Sequence, residues 1–192
     1  LRFMKKFYSD ISDIYTTSAE KKELNDFYTL NDISSLITIC HLDLVTNSKN
    51  LYLAKSDWEK IFFIKNIFLV IYETINSYHK HGKFLNEKSL INTLTSNEFS
   101  KVSSALKDFK KKYKYDTHIN RIRNKISGHI NDNFEEYYDE IISFNGEETA
   151  LMVLDFTIII GSIQKLLTEL MQTIELDKSK INQEALSKMQ EI

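Results

Sequence analysis

The stretch SDWEKIFFIKNIFLVIYETINSYHKHG, residues 56–82, decides the fold class. Its apolar residues recur at intervals of three and four, which is the spacing of one side of an α-helix. Ser56 and Glu59 have the spacing of a capping box, in which each side chain accepts a hydrogen bond from the other residue's backbone amide. Gly82 suits the end of a helix. Because apolar residues cover much of its circumference, we expect a buried central helix.

Composition excludes a turn-rich β fold. The chain has 192 residues, no proline and four glycines, whereas sandwiches and barrels need these residues at their corners. The turn signal Asn145-Gly146 precedes a second apolar stretch, residues 149–175, which predicts a second long helix. The sequence therefore predicts an all-α helical bundle with two long apolar central helices.

The chain divides into three predicted parts. They are an N-terminal arm or short helix over residues 1–25, the helical bundle domain over residues 26–176, and a charged C-terminal tail or helix over residues 177–192.

Within the bundle domain, several shorter features are predicted. Residues 47–50 are polar and predict a turn, and residues 83–95 predict a mixed connection. A further helix is expected to begin near Ser96 or Asn97, and Tyr115 and Asp116 are expected to mark a kink or break in the chain.

The single cysteine excludes an intrachain disulfide, which fits a reducing cytoplasm. The apolar stretches 61–71 and 150–163 are interrupted by Lys65, Asn66 and Asp155, and both are shorter than the roughly 18 to 20 residues of a membrane span. We expect a cytoplasmic protein without a membrane partner.

Charge is segregated along the chain, although the formal net charge is only −2. Residues 101–125 contain nine basic and two acidic residues, while residues 131–177 contain one basic and eleven acidic residues. Two interpretations of the basic segment are open. It binds RNA phosphates, with Tyr113 and Tyr115 stacking on bases, or it is a solvated lysine-rich face. The RNA-binding candidates are Lys110, Lys111, Lys112, Lys114, Arg121 and Lys125.

One short motif carries chemistry. Arg123-Asn124 is followed by four residues and then His129. Arginine keeps its charge and binds phosphate through two N–H groups, histidine exchanges a proton near neutral pH, and the asparagine amide orients a ligand or the imidazole. Together they suit attack of a ribose 2′-hydroxyl on the adjacent phosphate, with no metal required.

Helix geometry limits this interpretation. On one straight helix Arg123 and His129 lie about 120° apart. They converge where the helix loosens near Gly128, or where two chains pair their motifs across a dyad. The alternative is that Arg123 faces solvent and that the helix dipole favours His129 at a helix C-terminus.

The string Arg-Asn-Lys-Ile-Ser-Gly-His, residues 123–129, late in a helix of an all-helical domain, resembles the signature of the HEPN superfamily, and in particular its abortive-infection type. That signature is an arginine, a polar residue and a histidine after four to six intervening residues. The compatible order of helices extends over about residues 30–176.

The resemblance implies a metal-independent endoribonuclease that acts as a homodimer, often in toxin–antitoxin systems or anti-phage defence. It assigns catalysis to Arg123 and His129 and a supporting part to Asn124, with Glu73 the best-placed acidic helper on the preceding long helix. Some members of the superfamily keep the fold without the nuclease activity. The alternative is therefore a non-catalytic interaction module that pairs with an antitoxin or a nucleotidyltransferase through the acidic region 131–177.

No metal or other cofactor is expected. His79 and His81 form a His-x-His pair without a matching cluster of Cys, Asp or Glu at a recognisable spacing. The sequence has no glycine-rich phosphate loop and no nucleophile elbow.

Overall fold

The computed structural model describes residues 18–124, 135, 138, 139 and 145–174. This part of the chain is all-helical and contains no strand. The elements are α1 (Ser18–Leu53), α2 (Asp57–Lys80), α3 (Gly82–Ser89), α4 (Thr93–Lys112), a π-helical turn (Tyr115–Ile119), α5 (Asn120–Ile122) and α6 (Gly146–Gln172). The predictions for the arm before residue 18, for residues 125–134 and 140–144, and for the tail 177–192 lie outside the described residues.

Helix α1 is the element on which the two other long apolar segments pack. Both α2 and α6 contact α1 far more extensively than they contact each other. Residues Leu30, Ile33, Ile37 and Leu44 of α1 are almost completely buried. The prediction of two apolar central helices is therefore not confirmed, since α1 takes the central place.

Helix α6 is the one helix among the described residues that could cross a membrane by length and composition, with a mean hydropathy of 1.7 over 18 residues. It also buries nine side chains within the bundle. Core helices of water-soluble proteins meet the same criterion, so the cytoplasmic location stays a prediction.

Side-chain caps set where α2 and α6 begin. The Oγ atom of Ser56 accepts a hydrogen bond from the Glu59 amide at 3.3 Å, and Glu59 Oε2 accepts one from the Ser56 amide at 2.9 Å. This confirms the predicted capping box. The hydrogen bonds that the Ser56 amide and then the Lys55 amide donate to the Glu59 carboxylate lower the pKa of Glu59. Asn145 Oδ1 accepts from the amides of Glu147 and Glu148, so the predicted helix boundary at Asn145-Gly146 is confirmed.

The predicted polar turn at residues 47–50 is wrong, because α1 continues to Leu53. Asn47 Nδ2 donates to the Asp43 carbonyl at 2.8 Å, and Ser48 Oγ donates to the Leu44 carbonyl at 2.7 Å. These polar side chains are satisfied by the helix backbone one turn earlier, and so they do not end the helix.

The connection predicted over residues 83–95 is largely helical. Gly82 opens α3 rather than closing α2, and it has no positive φ. Asn92 caps α4 by accepting a hydrogen bond from the Thr95 amide at 2.9 Å. Helix α4 thus begins at Thr93, three residues before the predicted start at Ser96.

The predicted break at Tyr115 and Asp116 is confirmed, and it determines where the motif lies. Lys114 adopts the left-handed conformation with φ 50° and ψ 50°, and a π-helical turn follows. Ile119 at the end of this turn and Ile122 in α5 are fully buried. The chain therefore folds back, and α5 contacts α2.

Replacement of Phe156 tests the position of the core. Its ring is fully buried and lies 5.0 Å from the ring of Phe109. We expect Phe156→Ala to lower the free energy of unfolding by about 3–5 kcal/mol, because the lost ring leaves a cavity. Urea denaturation measures this change. Ile158→Ala is the matched control, because Ile158 is 70% exposed on the same helix, and it should change the value by less than about 0.5 kcal/mol. Similar small losses in both variants would contradict the burial of Phe156.

Candidate functional site

Arg123 is held against α2 by an ion pair. Its Nε and Nη2 atoms donate to Glu73 Oε1 at 3.3 and 3.1 Å. Its Nη1 atom donates to Asn124 Oδ1 at 3.0 Å, and Asn124 Nδ2 donates in turn to Asn120 Oδ1 at 2.8 Å. The guanidinium is thus fixed from two sides while about a third of the side chain stays exposed.

Two tyrosine rings extend this contact into a column. The Arg123 Cζ atom lies 5.2 Å from the centre of the Tyr72 ring. Tyr72 stacks on Tyr115, with ring centres 5.6 Å apart and planes inclined by 10°. On the far side, Lys110 Nζ lies 4.8 Å from the Tyr115 ring. Both cations face aromatic rings within the range of cation–π attraction.

Tyr115 is the buried member of this column. Burial raises the pKa of Tyr115 well above its usual value, and the neighbouring Tyr72, Asp116 and Glu73 raise it further. Its hydroxyl lies 3.4 Å from the Tyr72 carbonyl and 3.5 Å from Asn76 Oδ1. The ring is therefore neutral at physiological pH and contributes an uncharged stacking surface for Tyr72.

The expectation that Tyr113 and Tyr115 stack on bases is wrong, because both are buried, with 6% and 5% exposure. The hydroxyl of Tyr113 donates to Asp155 Oδ2 at 2.8 Å, and its ring packs on Phe109. The break at residue 114 directs both rings inward.

The basic residues of the segment divide into two groups. Lys112 Nζ lies 2.7 Å from Asp155 Oδ2, a hydrogen bond that raises the pKa of Lys112. Lys110 is half-buried over Tyr115 and lies 3.9 Å from Asp116. Both are therefore engaged within the fold. Lys111, Lys114 and Arg121 are exposed, and so is the paired Lys112. Lys125 lies outside the described residues.

The structure brings together three of the four motif and helper residues, namely Arg123, Asn124 and Glu73. His129 lies outside the described residues, so its position relative to Arg123 stays a prediction. Glu73 and Arg123 are fifty residues apart in sequence. They meet because the break at residue 114 returns the chain to α2.

The His-x-His pair lies at the end of α2. Partial burial, followed by the charge of Lys110, lowers the pKa of His79. Across the described ranges, no group of three or more His, Cys, Asp or Glu side chains could hold a metal ion.

A cavity of about 190 Å³ lies beside this site, between α2, the π-helical turn and the start of α6. We call it the Phe68 cavity; its lining includes Phe68, Tyr113, His118, Arg121, Glu148 and Met152. Sequence reasoning missed it because these residues come from three distant segments, each of which reads as an ordinary helix face.

No protein-family model matches the chain, and no curated protein or solved structure matches it significantly. Function must therefore be inferred from the contacts of Arg123 and from the motif itself.

Replacement of Asp155 tests the pairing of Lys112 with α6. The hydrogen bond from Lys112, followed by that from Tyr113, lowers the pKa of Asp155. A lowered pKa contributes stability that is complete above the unfolded value of about 3.9 and is lost as the pH falls through the folded value. Asp155→Asn should therefore lower the free energy of unfolding modestly at pH 7, since the pair is partly exposed.

The difference between Asp155→Asn and wild type should shrink as the pH falls from 7 to below the unfolded value of about 3.9, because the Asp155 carboxyl then takes up a proton. Asp108→Asn, at an exposed acid of α4, is the control and should have little effect at either pH. A deficit of equal size at both pH values in urea denaturation would contradict the ion pair.

Proposed function

We propose that the protein is a metal-independent endoribonuclease of the HEPN type, built on a HEPN-like helical bundle that acts as a homodimer. The observation that carries this proposal is the Arg123 guanidinium, which Glu73, Tyr72 and Asn124 hold in one orientation on the chain segment that leads to His129.

The proposed reaction needs one proton acceptor, one proton donor and a fixed positive charge. The 2′-hydroxyl of a ribose loses its proton to one imidazole and attacks the adjacent phosphorus. The bond to the 5′-oxygen breaks, and that oxygen takes a proton from a second donor. In a homodimer the two copies of His129 would supply both groups. Arg123 would stabilise the charge that develops on the phosphoryl oxygens.

Glu73 fits a positioning part rather than a proton-transfer part. Its Oε1 atom already accepts two N–H groups from Arg123. These bonds leave the Nη1 edge on the side of Asn124, which is the edge that a phosphate would approach. Asn124 would give up this bond as the phosphate arrives and would orient the ligand with its amide.

The exposed basic residues Lys111, Lys114 and Arg121 would guide RNA to this point. Their contribution would be electrostatic and independent of base sequence, and RNA binding should weaken as salt rises. We propose a cytoplasmic toxin or anti-phage defence protein, with an antitoxin or another protein as a further partner.

A second candidate is a non-catalytic HEPN-like interaction module. The ion pair between Arg123 and Glu73 favours it in one respect, because the same contacts would also serve only to attach α5 to α2. Such a module would dock an antitoxin or a nucleotidyltransferase on the acidic region 131–177.

Cleavage of RNA by purified protein in EDTA separates the two candidates. The proposal expects 2′,3′-cyclic phosphate ends, and a rate that falls by about 10²- to 10⁴-fold in His129→Ala, as for a lost general acid or base. His41→Ala, on α1 and outside the Arg123 contacts, is the control and should cleave at the wild-type rate.

Cleavage by His129→Ala at the wild-type rate would remove the proposed part of His129. Wild type that is inert on several RNAs, yet co-purifies with a partner that dissociates at high salt, would favour the interaction module.

The aromatic column predicts a second kinetic result. Tyr72→Leu removes the ring beneath Arg123, so the guanidinium is no longer held in one orientation. We expect kcat to fall at least tenfold with little change in KM, because a misoriented Arg123 stabilises the transition state less. Tyr72→Phe keeps the ring and should retain the wild-type rate. Tyr52→Leu, at a tyrosine that is 89% exposed on α1, is the control. An equal loss in Tyr72→Phe and Tyr72→Leu would contradict a role for the ring face.

A further inference from the structure

We propose that Trp58 and Phe62 of α2 form the centre of the contact between two copies of this chain; this inference rests on the proposed function. The two side chains are 67% and 57% exposed and lie one turn apart on one side of α2. The Phe62 ring packs edge to face on Phe63, with ring centres 5.3 Å apart. Aromatic side chains that project into solvent in this way are typical of protein interfaces.

This aromatic pair lies on the face of α2 that carries the partner of Arg123. Phe62 and Glu73 are eleven residues apart, which is about three turns of helix and about 16 Å along its axis. Their side chains therefore leave α2 on the same side, and Arg123 donates to Glu73. A two-fold axis near Phe62 would place both copies of Arg123 on the faces that meet. The proposed reaction needs such a partner, because one chain supplies only one of the two imidazoles.

The end of the bundle around this pair presents enough apolar surface for the core of a dimer contact. Tyr52 and Leu53 end α1 and are 89% and 56% exposed. Tyr52 and Ile61 line one groove of about 760 Å³ between α1, α2 and α6. With Trp58 and Phe62, the exposed side chains present on the order of 400 Å². A stable interface buries about 800 Å² per partner, with aromatic residues at its centre and polar residues at its rim.

The charge of this surface favours a second copy over RNA. Residues 55–62 contain two bases and two acids, namely Lys55, Lys60, Asp57 and Glu59. A two-fold contact places the same region of both copies face to face, so a balanced charge avoids repulsion. The basic segment 101–125 and the acidic region 131–177 would instead repel their own copies. RNA binding needs an excess of bases, which residues 55–62 do not provide.

Sedimentation equilibrium of the purified full chain tests the contact without RNA. Wild type should dimerise with a dissociation constant in the micromolar range or below, and Phe62→Glu should raise that constant at least tenfold, as for a lost central anchor. Leu90→Glu, at a leucine that is 69% exposed between α3 and α4, is the control and should dimerise as wild type does. Circular dichroism verifies folding of both variants. Wild type that stays monomeric, or a dimer that Phe62→Glu leaves intact, would contradict the contact.

Fluorescence of wild type tests the same surface without a substitution. Trp58 is the only tryptophan of the chain, so its emission reports on this surface directly. The emission maximum should shift to longer wavelength as dilution dissociates the dimer, because the indole then moves from an apolar contact into water. Emission that stays constant while sedimentation records dissociation would place the dimer contact elsewhere and overturn the proposal.

RNA cleavage at several protein concentrations separates this contact from the proposed reaction. If both hold, Phe62→Glu should lose activity in step with its loss of dimer and regain it at high protein concentration. Dimerisation that depends on Phe62, in a protein that cleaves no RNA, would support the contact and end the nuclease proposal. Unchanged dimerisation and cleavage in Phe62→Glu would overturn the contact and leave the nuclease standing. Unchanged dimerisation with weaker RNA binding would overturn the contact and assign the aromatic pair to RNA.

Discussion

The contact of Arg123 with Glu73 and Tyr72 of α2 is the interaction on which this end of the bundle depends. Helix α5 has only three residues, far too few to hold a helical segment in place by its own hydrogen bonds. Two buried isoleucines and the Arg123 contacts with Tyr72 and Glu73 attach it instead. Because the guanidinium that attaches the segment is also the fixed charge of the proposed reaction, the proposal couples stability and catalysis at this residue.

The backbone break at Lys114 makes this contact of Arg123 with α2 possible. After this break, Arg123 contacts Glu73 and Tyr72 of α2. A left-handed residue other than glycine costs about 1–2 kcal/mol, and the buried rings of Tyr113 and Tyr115 offset that cost by packing on either side of it. Single π-helical turns are frequent at functional sites, and His118 of this turn lines the Phe68 cavity.

The sequence predicted features that depend on neighbouring residues and missed those that depend on distant ones. The Ser56 cap, the boundary at Asn145 and the break near Tyr115 are local, and all three are confirmed. The continuity of α1 was missed because a run of polar residues such as 47–50 is typical of a turn. The same residues also occur inside a helix when their side chains donate hydrogen bonds to backbone carbonyls one turn earlier. The inward direction of the tyrosines, and the cavity that one of them lines, follow from where three separate segments meet. Glu73 was singled out by resemblance alone, and its contact with Arg123 is a tertiary feature that no spacing encodes.

The charge pattern of the sequence has to be interpreted together with the ion pairs that form within the fold. Lys112 pairs with Asp155, and Lys165, the one base of the acidic region, pairs with Glu98 of α4 at 3.1 Å. Of these two pairs, only Lys112–Asp155 joins a base of residues 101–125 to an acid of residues 131–177, across the contact between α4 and α6. The exposed candidates Lys111 and Lys114 lie at the end of α4 and at the break. Under the proposed function, a basic surface confined to this part of the chain would guide RNA to one point, whereas a lysine-rich face along the whole helix would bind RNA without a fixed position.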